Sequence, residues 1–394
     1  MVDDARPIGI VLHPRHLFMA FLETTSLTSS RSIWMESMKD DLMADANLTE
    51  LLSGDCPQSV EQLEDVLSTP TVAVVEMFSR LEGHLLLVGA AGKMGPTMVR
   101  MAHRAIAESG SKMRLTAVSR FSDPSVRDRM QKWGIETIAC DLLQPSQVAA
   151  LPDCTHLINL SGFKFGASVN PALTWATNCD IPATLCRRFS ASKIVAFSTG
   201  NVYAMVAPAT GGSLESDGLE PVGEYAMAAL GRERMFQYHC EQLQIPTLLV
   251  RLNYATELRY GVLVDIATSV LHDQSIDVTT GFVNVIWQGD ANAMTLRCLE
   301  LPTVPARPIN LTGPVGLSVR SVAQQVAALV DVALEVTGTE RGEALLSQAA
   351  HNYELLGAPQ MDLETMLRWT VQWLQQGGES LGKPTKFNAA DGKF

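Results

Sequence analysis

The sequence predicts an α/β protein built on a doubly wound parallel sheet. Three observations carry that prediction. A short unbroken apolar run, HLLLVGA from His84, leads into a glycine-rich loop; similar runs then alternate with helical segments; and 46% of the 394 residues are hydrophobic while 18% are charged. Unbroken apolar runs suit parallel strands buried on both faces. Strands spaced by helices imply right-handed crossovers within one sheet.

The elements follow in order. Residues 1–82 form a mainly helical N-terminal extension. Its run IGIVLHPRHLFMAFL reads as a strand or helix packed on the main domain. Met35–Leu52 has helical spacing, with Trp34, Met38, Leu42 and Leu48 on related faces, and Ser59–Leu67 and Thr71–Leu81 read as further helices. Residues 83–255 hold the strands HLLLVGA, LTAVSR, ETIACDLL, THLINLSG, KIVAFST and TLLVRLN. Helical segments lie among them at Thr97–Glu108, Pro124–Lys132, Leu173–Phe189 and Tyr225–Gln242. Residues 256–376 form a smaller C-terminal substrate-binding region, open to sharing strands with the core. It contains a helix over Tyr260–His272, a strand over Gly281–Ile286 and helices over Ser318–Val330 and Leu363–Gln376. Residues 377–394 are poor in large apolar side chains and read as a flexible tail.

Composition removes several functions. The formal net charge of -12 repels phosphate backbones, so no nucleic-acid partner is expected. The seven cysteines form no CxxC pair, which suits buried thiols in a reducing compartment. The eight histidines show no HExxH spacing, and no metal site is expected. The N-terminal apolar run is broken by His13, Pro14, Arg15 and His16, unlike a signal peptide, and no run reaches membrane-spanning length. The expectation is a cytoplasmic protein with a small-molecule substrate and no membrane partner; a homodimer stays open.

The loop VGAAGKMGPTMVRMA carries Gly89, Gly92 and Gly95 between a strand and a helix. This is the context of a dinucleotide-binding, Rossmann-type fold. The first glycine makes the turn, the second admits a pyrophosphate, and the third lets helix and strand approach. The helix N-terminus then offers N–H groups to the anion. Lys93 and Met94 lie inside the loop, and Lys93 is a candidate to meet a phosphate. A carboxylate ending the second strand would hold a ribose diol and favour NAD. Ser119 and Arg120 stand there instead. Arginine pairs with a 2′-phosphate, so NADP is favoured, with NAD the alternative.

With these motifs in place, residues 84–376 resemble the extended short-chain dehydrogenases/reductases, the NAD-dependent epimerase/dehydratase family. GAAGKMG matches its GxxGxxG loop; CDLL matches the segment that sets Asp141 and Leu142 near the adenine; NLSG matches the segment beside the cofactor, with Leu160, Ser161 and Gly162; and Asn178 matches an asparagine of the next helix. FSTGNVY places Thr199 in the catalytic hydroxyl position, Tyr225 matches the catalytic tyrosine of YxxxK, Glu233 fits a glutamate later in that helix, and RLNYA resembles the R-x-x-N segment. The resemblance implies an NAD(P)-dependent oxidoreductase or epimerase acting at a carbonyl or alcohol carbon of a polar, sugar-like molecule. Tyr225 would be the general acid/base and Thr199 would polarise the oxygen.

The departures bear on mechanism. The lysine of YxxxK is replaced by Ala229, and the acidic pair of the family's dehydratases by Gly200-Asn201. A free tyrosine, with a pKa of about 10, is roughly one part in a thousand phenolate at neutral pH, which costs about 4 kcal/mol when a base is needed. Reduction needs an acid, which neutral tyrosine already is. Losing the lysine therefore penalises alcohol oxidation more than carbonyl reduction. Lys164, in SGFKFG after the fourth strand, is the first substitute cation; Arg232 lies two helical turns beyond Tyr225, far along the helix. Asn201, Asn253, Arg259, Asn284 and Trp287 are the substrate-side candidates. The other class is a catalytically degenerate NADP-binding sensor or scaffold, and an N-terminal partner interface is a third reading.

Overall fold

The computed structural model describes Leu48 and residues 50–388, apart from 165 and 384. Every described residue lies in one compact unit, Asn47–Phe394. The expected N-terminal apolar run and most of the Met35–Leu52 helix fall outside the described residues.

Seven strands form the central sheet: β1 (His84–Val88), β2 (Arg114–Ser119), β3 (Glu136–Ala139), β4 (His156–Asn159), β5 (Lys193–Thr199), β6 (Thr247–Leu252) and β7 (Arg307–Leu311). They run parallel in the order β7-β6-β5-β4-β1-β2-β3. The order reverses between β1 and β4, whose register pairs Leu86 with Leu157 and Val88 with Asn159. A crevice beyond the carboxyl ends of the strands is expected at such a reversal. The sheet confirms the Rossmann-type α/β class.

The strand β7 is a correction to the sequence reading. Its residues RPINL lack an unbroken apolar run, so the pattern that finds the other strands passes over it. Pro308 is tolerated because β7 is an edge strand bonded on one side only. The segment expected as one strand over Gly281–Ile286 is two. Phe282–Asn284 pairs antiparallel with Gly316–Ser318, and Ile286–Trp287 pairs with Ala255–Thr256.

The helices are α1 (Val60–Leu67), α2 (Val72–Arg80), α3 (Gly95–Glu108), α4 (Pro124–Lys132), α5 (Pro145–Ala149), α6 (Pro171–Arg188), α7 (Gly223–Leu243), α8 (Val262–Leu271), α9 (Gln288–Arg297), α10 (Val319–Val330), α11 (Tyr353–Leu356) and α12 (Leu363–Gln375). Alternation along β1 feeds two cores. Leu85 and Leu87 join Phe78, Met98 and Met294 of α2, α3 and α9, while Leu86 and Val88 join Ile181, Leu185 and Phe236 of α6 and α7. A third core gathers Leu63 and Leu67 of α1, Leu263 and Ile266 of α8, Val322 of α10, and Trp369 and Trp373 of α12. The later part of the N-terminal extension thus packs with the C-terminal helices. Trp369 Nε1 also donates to the Gly54 carbonyl at 3.3 Å.

A buried polar network ties the sheet to α7. Arg251 of β6 donates from Nη2 and Nε to Glu233 Oε2 and Oε1 at 2.8 and 3.0 Å. Its Nη1 donates to Tyr203 Oη at 2.8 Å, and that hydroxyl donates to Asn310 Oδ1 of β7 at 2.7 Å. Ser198 of β5 donates to the same Glu233 carboxylate. The network holds α7, and with it Tyr225, against β5, β6 and β7.

Candidate active site

The loop from β1 into α3 forms the floor of a groove of about 500 Å³. Gly89 has φ +77°, and a Cβ there would sit 2.7 Å from the Ser161 amide nitrogen. Gly95 permits close packing, since a Cβ would collide with the Ala90 carbonyl. No side chain caps the start of α3, where the Gly95 N–H donates to the Gly92 carbonyl at 3.1 Å and Pro96 has no N–H to offer. Nine of the sequence-predicted cofactor residues line the groove: Gly89, Gly92, Ser119, Arg120, Asp141, Leu142, Leu160, Ser161 and Gly162. Arg120 is exposed on it. The two carboxylates of the groove are turned into their own loops. Asp141 Oδ1 accepts from the Leu143 N–H at 3.0 Å, and Asp123 Oδ1 accepts from the Ser125 N–H at 2.9 Å. These residues fit a dinucleotide: a cradle that a Cβ would fill, an uncapped helix start and an arginine at the end of β2.

Leu160 and Gly162 also line a second cavity, of about 240 Å³, so the two spaces adjoin. Thr199, Tyr225, Lys164, Asn201 and Asn253 line it, and so do Lys93 and Met94. Thr199 ends β5 with its hydroxyl donating to Asn201 Oδ1 at 2.9 Å and accepting from the Asn201 N–H at 3.2 Å. Tyr225 stands in the first turn of α7, half-buried, and the Lys164 ammonium lies 5.7 Å from its ring centroid. Burial pushes the Lys164 pKa down to about 8 against the pull of Asp265. Asp265 Oδ2 in turn accepts from the Thr385 N–H at 2.8 Å and the Thr385 hydroxyl at 2.5 Å, and Thr385 lines the cavity.

Other predicted residues lie elsewhere. The Lys93 ammonium donates to the Ala255 carbonyl at 2.6 Å and faces the Tyr260 ring at 4.3 Å, so it lines the cavity and not the groove. Arg259 is buried between Glu257 (3.1 Å) and Glu64 (3.4 Å) and does not line the cavity. Asn284 accepts from the Ser347 N–H at 2.8 Å behind it. Trp287 is buried in the third core, edge-on to Trp369. Asn178 is buried, donating to the Thr174 carbonyl at 2.8 Å, with no partner found for its Oδ1.

Sequence reading placed Arg232 too far along α7. The structure brings it to the cavity, 5% exposed, with Nη1 donating to the Ser161 carbonyl at 2.9 Å. Helical side chains lean toward the N-terminus, which recovers about a turn of the apparent separation. Spacing gave the face; the lean gave the reach. Ala229, between Tyr225 and Arg232, is fully buried against Val202 and Tyr203. Tyr254 and Tyr260 also line the cavity and are not among the site residues expected from the sequence.

Among the described residues no group of three or more His, Cys, Asp and Glu side chains could hold a metal ion. No described helix is long and apolar enough to cross a membrane.

Fold and site together define a Rossmann-type protein with a threonine and a tyrosine in one cavity beside the glycine-loop groove. Residues 85–255 match the model of the NAD dependent epimerase/dehydratase family. A search of curated proteins returns no match. Solved structures share the fold at low identity. UDP-glucuronic acid 4-epimerase from Bacillus cereus, in complex with UDP-glucuronic acid and NAD, is 17% identical, with a TM-score of 0.62 over 74% of this chain and 99% of its own. UDP-glucose 4-epimerase from Thermotoga maritima, with UDP-glucose, is 16% identical, with a TM-score of 0.60 over 75% and 99%. The Bordetella bronchiseptica enzyme WbmG, in complex with NAD, is 16% identical, with a TM-score of 0.63 over 78% and 98%.

Proposed function

We propose that the protein is an NADP-dependent oxidoreductase or epimerase acting at a carbonyl or alcohol carbon of a polar, sugar-like small molecule. The observation that carries this reading is that Thr199 and Tyr225 share one cavity, joined at Leu160 and Gly162 to the glycine-loop groove. Bound nicotinamide supplies the two-electron chemistry. The chain's residues do the rest. In the reducing direction Tyr225 donates the proton of its Oη to the substrate oxygen. Thr199 donates from Oγ1 to that oxygen after exchanging Asn201 Oδ1 for it. Lys164, with its ammonium 5.7 Å from the Tyr225 ring centroid, and Arg232 share the cavity with the phenol, but neither stands at the position of the YxxxK lysine that Ala229 occupies. Reduction, which needs an acid, is the direction this site favours.

Arg120 carries the choice of NADP. Arg120→Ala should weaken NADP binding about tenfold and leave NAD affinity nearly unchanged, as the loss of a charge-assisted contact predicts. Fluorescence titration of both cofactors checks it; equal loss for the two would place Arg120 off the 2′-phosphate. The reading as a whole is tested by NADPH consumption across a panel of sugar-like carbonyls. One observation favours the second reading, a cofactor-binding sensor: the Thr199 hydroxyl is already engaged by Asn201. A sensor would bind NADP tightly and turn over nothing on the panel.

A further inference from the structure

We propose that the Tyr225 cavity binds an anionic group of the substrate, a carboxylate or phosphate carried beside the reacting carbon, between Lys93 and Arg232. This rests on reading the cavity as the substrate pocket and names the class of molecule it takes.

A charge count leads to it. Arg129, Glu64, Arg259 and Glu257 form a chain with contacts of 3.2, 3.4 and 3.1 Å, in which two cations balance two carboxylates. Arg251 and Glu233 balance each other. Lys164 feels the attraction of Asp265. Lys93 and Arg232 remain; Glu233, the carboxylate that attracts Arg232, is already bonded twice to Arg251. Their hydrogen-bond acceptors are main-chain carbonyls, Ala255 at 2.6 Å and Ser161 at 2.9 Å. Glu257, the carboxylate that attracts Lys93, is already bonded to Arg259. No carboxylate is among the described residues lining the cavity. A carbonyl accepts a hydrogen bond but does not neutralise charge, and a buried cation without a counterion is costly, which applies to Arg232 in full and to the half-buried Lys93 in part.

A second observation points the same way. Arg232 is 5% exposed, and its Nε has no hydrogen-bond partner. A planar anion offers the two acceptors that a guanidinium edge requires. Burial also pushes the Lys93 pKa down to about 7, and a bound anion would restore its charge. The cofactor's diphosphate belongs to the glycine-loop groove, which neither Lys93 nor Arg232 lines. Anchored between these cations, a substrate would present its carbonyl oxygen to Tyr225 and Thr199.

The test is calorimetric titration of the NADP-saturated protein with malonate and inorganic phosphate, with malonamide as the neutral control. The expected result is saturable binding of both anions and none of malonamide. Lys93→Met and Arg232→Met should each weaken malonate about tenfold or more, with NADP affinity unchanged. Raising the pH from about 6 to about 9 should weaken malonate progressively, because Lys93 and Lys164 lose charge through that window. Unchanged malonate binding in both variants overturns the proposal. So does loss of NADP affinity in its place, which would give the cations to the cofactor. If Arg232→Met fails to fold, Lys93→Met decides alone. Charge-dependent malonate binding in a protein without turnover would leave the anion site standing and remove the enzymatic reading.

Discussion

Tyr225→Phe should lower turnover by about 10²–10⁴-fold while NADP affinity and thermal stability stay close to those of the unchanged protein. The substitution removes one oxygen from a half-buried ring in the first turn of α7 and leaves the ring's packing in place. The groove that would hold the dinucleotide does not include Tyr225, so cofactor titration separates chemistry from binding. Thr199→Val should add a smaller loss, since it removes a polarising hydrogen bond and leaves the proton donor. Because Ala229 stands where the YxxxK lysine would, the site should also reduce faster than it oxidises, and both rates should fall together in Tyr225→Phe. A variant as active as the parent would place the acid elsewhere.

The second large effect is on stability. Glu233→Ala should destabilise the fold by about 3–5 kcal/mol, measured by denaturant unfolding. The carboxylate is fully buried, and it receives Arg251 through two hydrogen bonds and Ser198 through a third. Removing it leaves the Arg251 guanidinium inside the protein with Tyr203 and a carbonyl as partners. The cost is that of a stranded charge, and the pair itself is worth far less. The double variant Glu233→Met with Arg251→Met should therefore recover much of the loss. An additive double variant would mean that shape, and not charge, sets the cost.

Much of this was legible in the sequence because the Rossmann-type core writes itself in local patterns. HLLLV, KIVAF and TLLV are apolar on both faces, and the loop glycines fall where the backbone crowds Ser161 and Ala90. The β7 strand was missed because an edge strand tolerates Pro308 and Asn310, which blur the apolar signal. The site was legible as far as its residues sit at strand ends, as Thr199 and Ser161 do. Arg232 was underrated because spacing counts turns and ignores the lean of a long side chain. Arg259 was overrated because its partner Glu64 lies 195 positions away in α1, a pairing that only tertiary structure reveals. The same holds for Lys93, whose loop position suggested a phosphate while its ammonium turns to Ala255.

The central claim is that this cavity still performs redox chemistry without the lysine that Ala229 replaces. The most direct test follows deuterium from the reduced nicotinamide carbon of labelled NADPH during incubation with carboxylate- or phosphate-bearing hydroxy-carbonyl compounds. The account predicts deuterium on a carbon of the substrate or product, absent in Tyr225→Phe. Bound cofactor that keeps all its label with every compound would contradict it and leave a dinucleotide sensor.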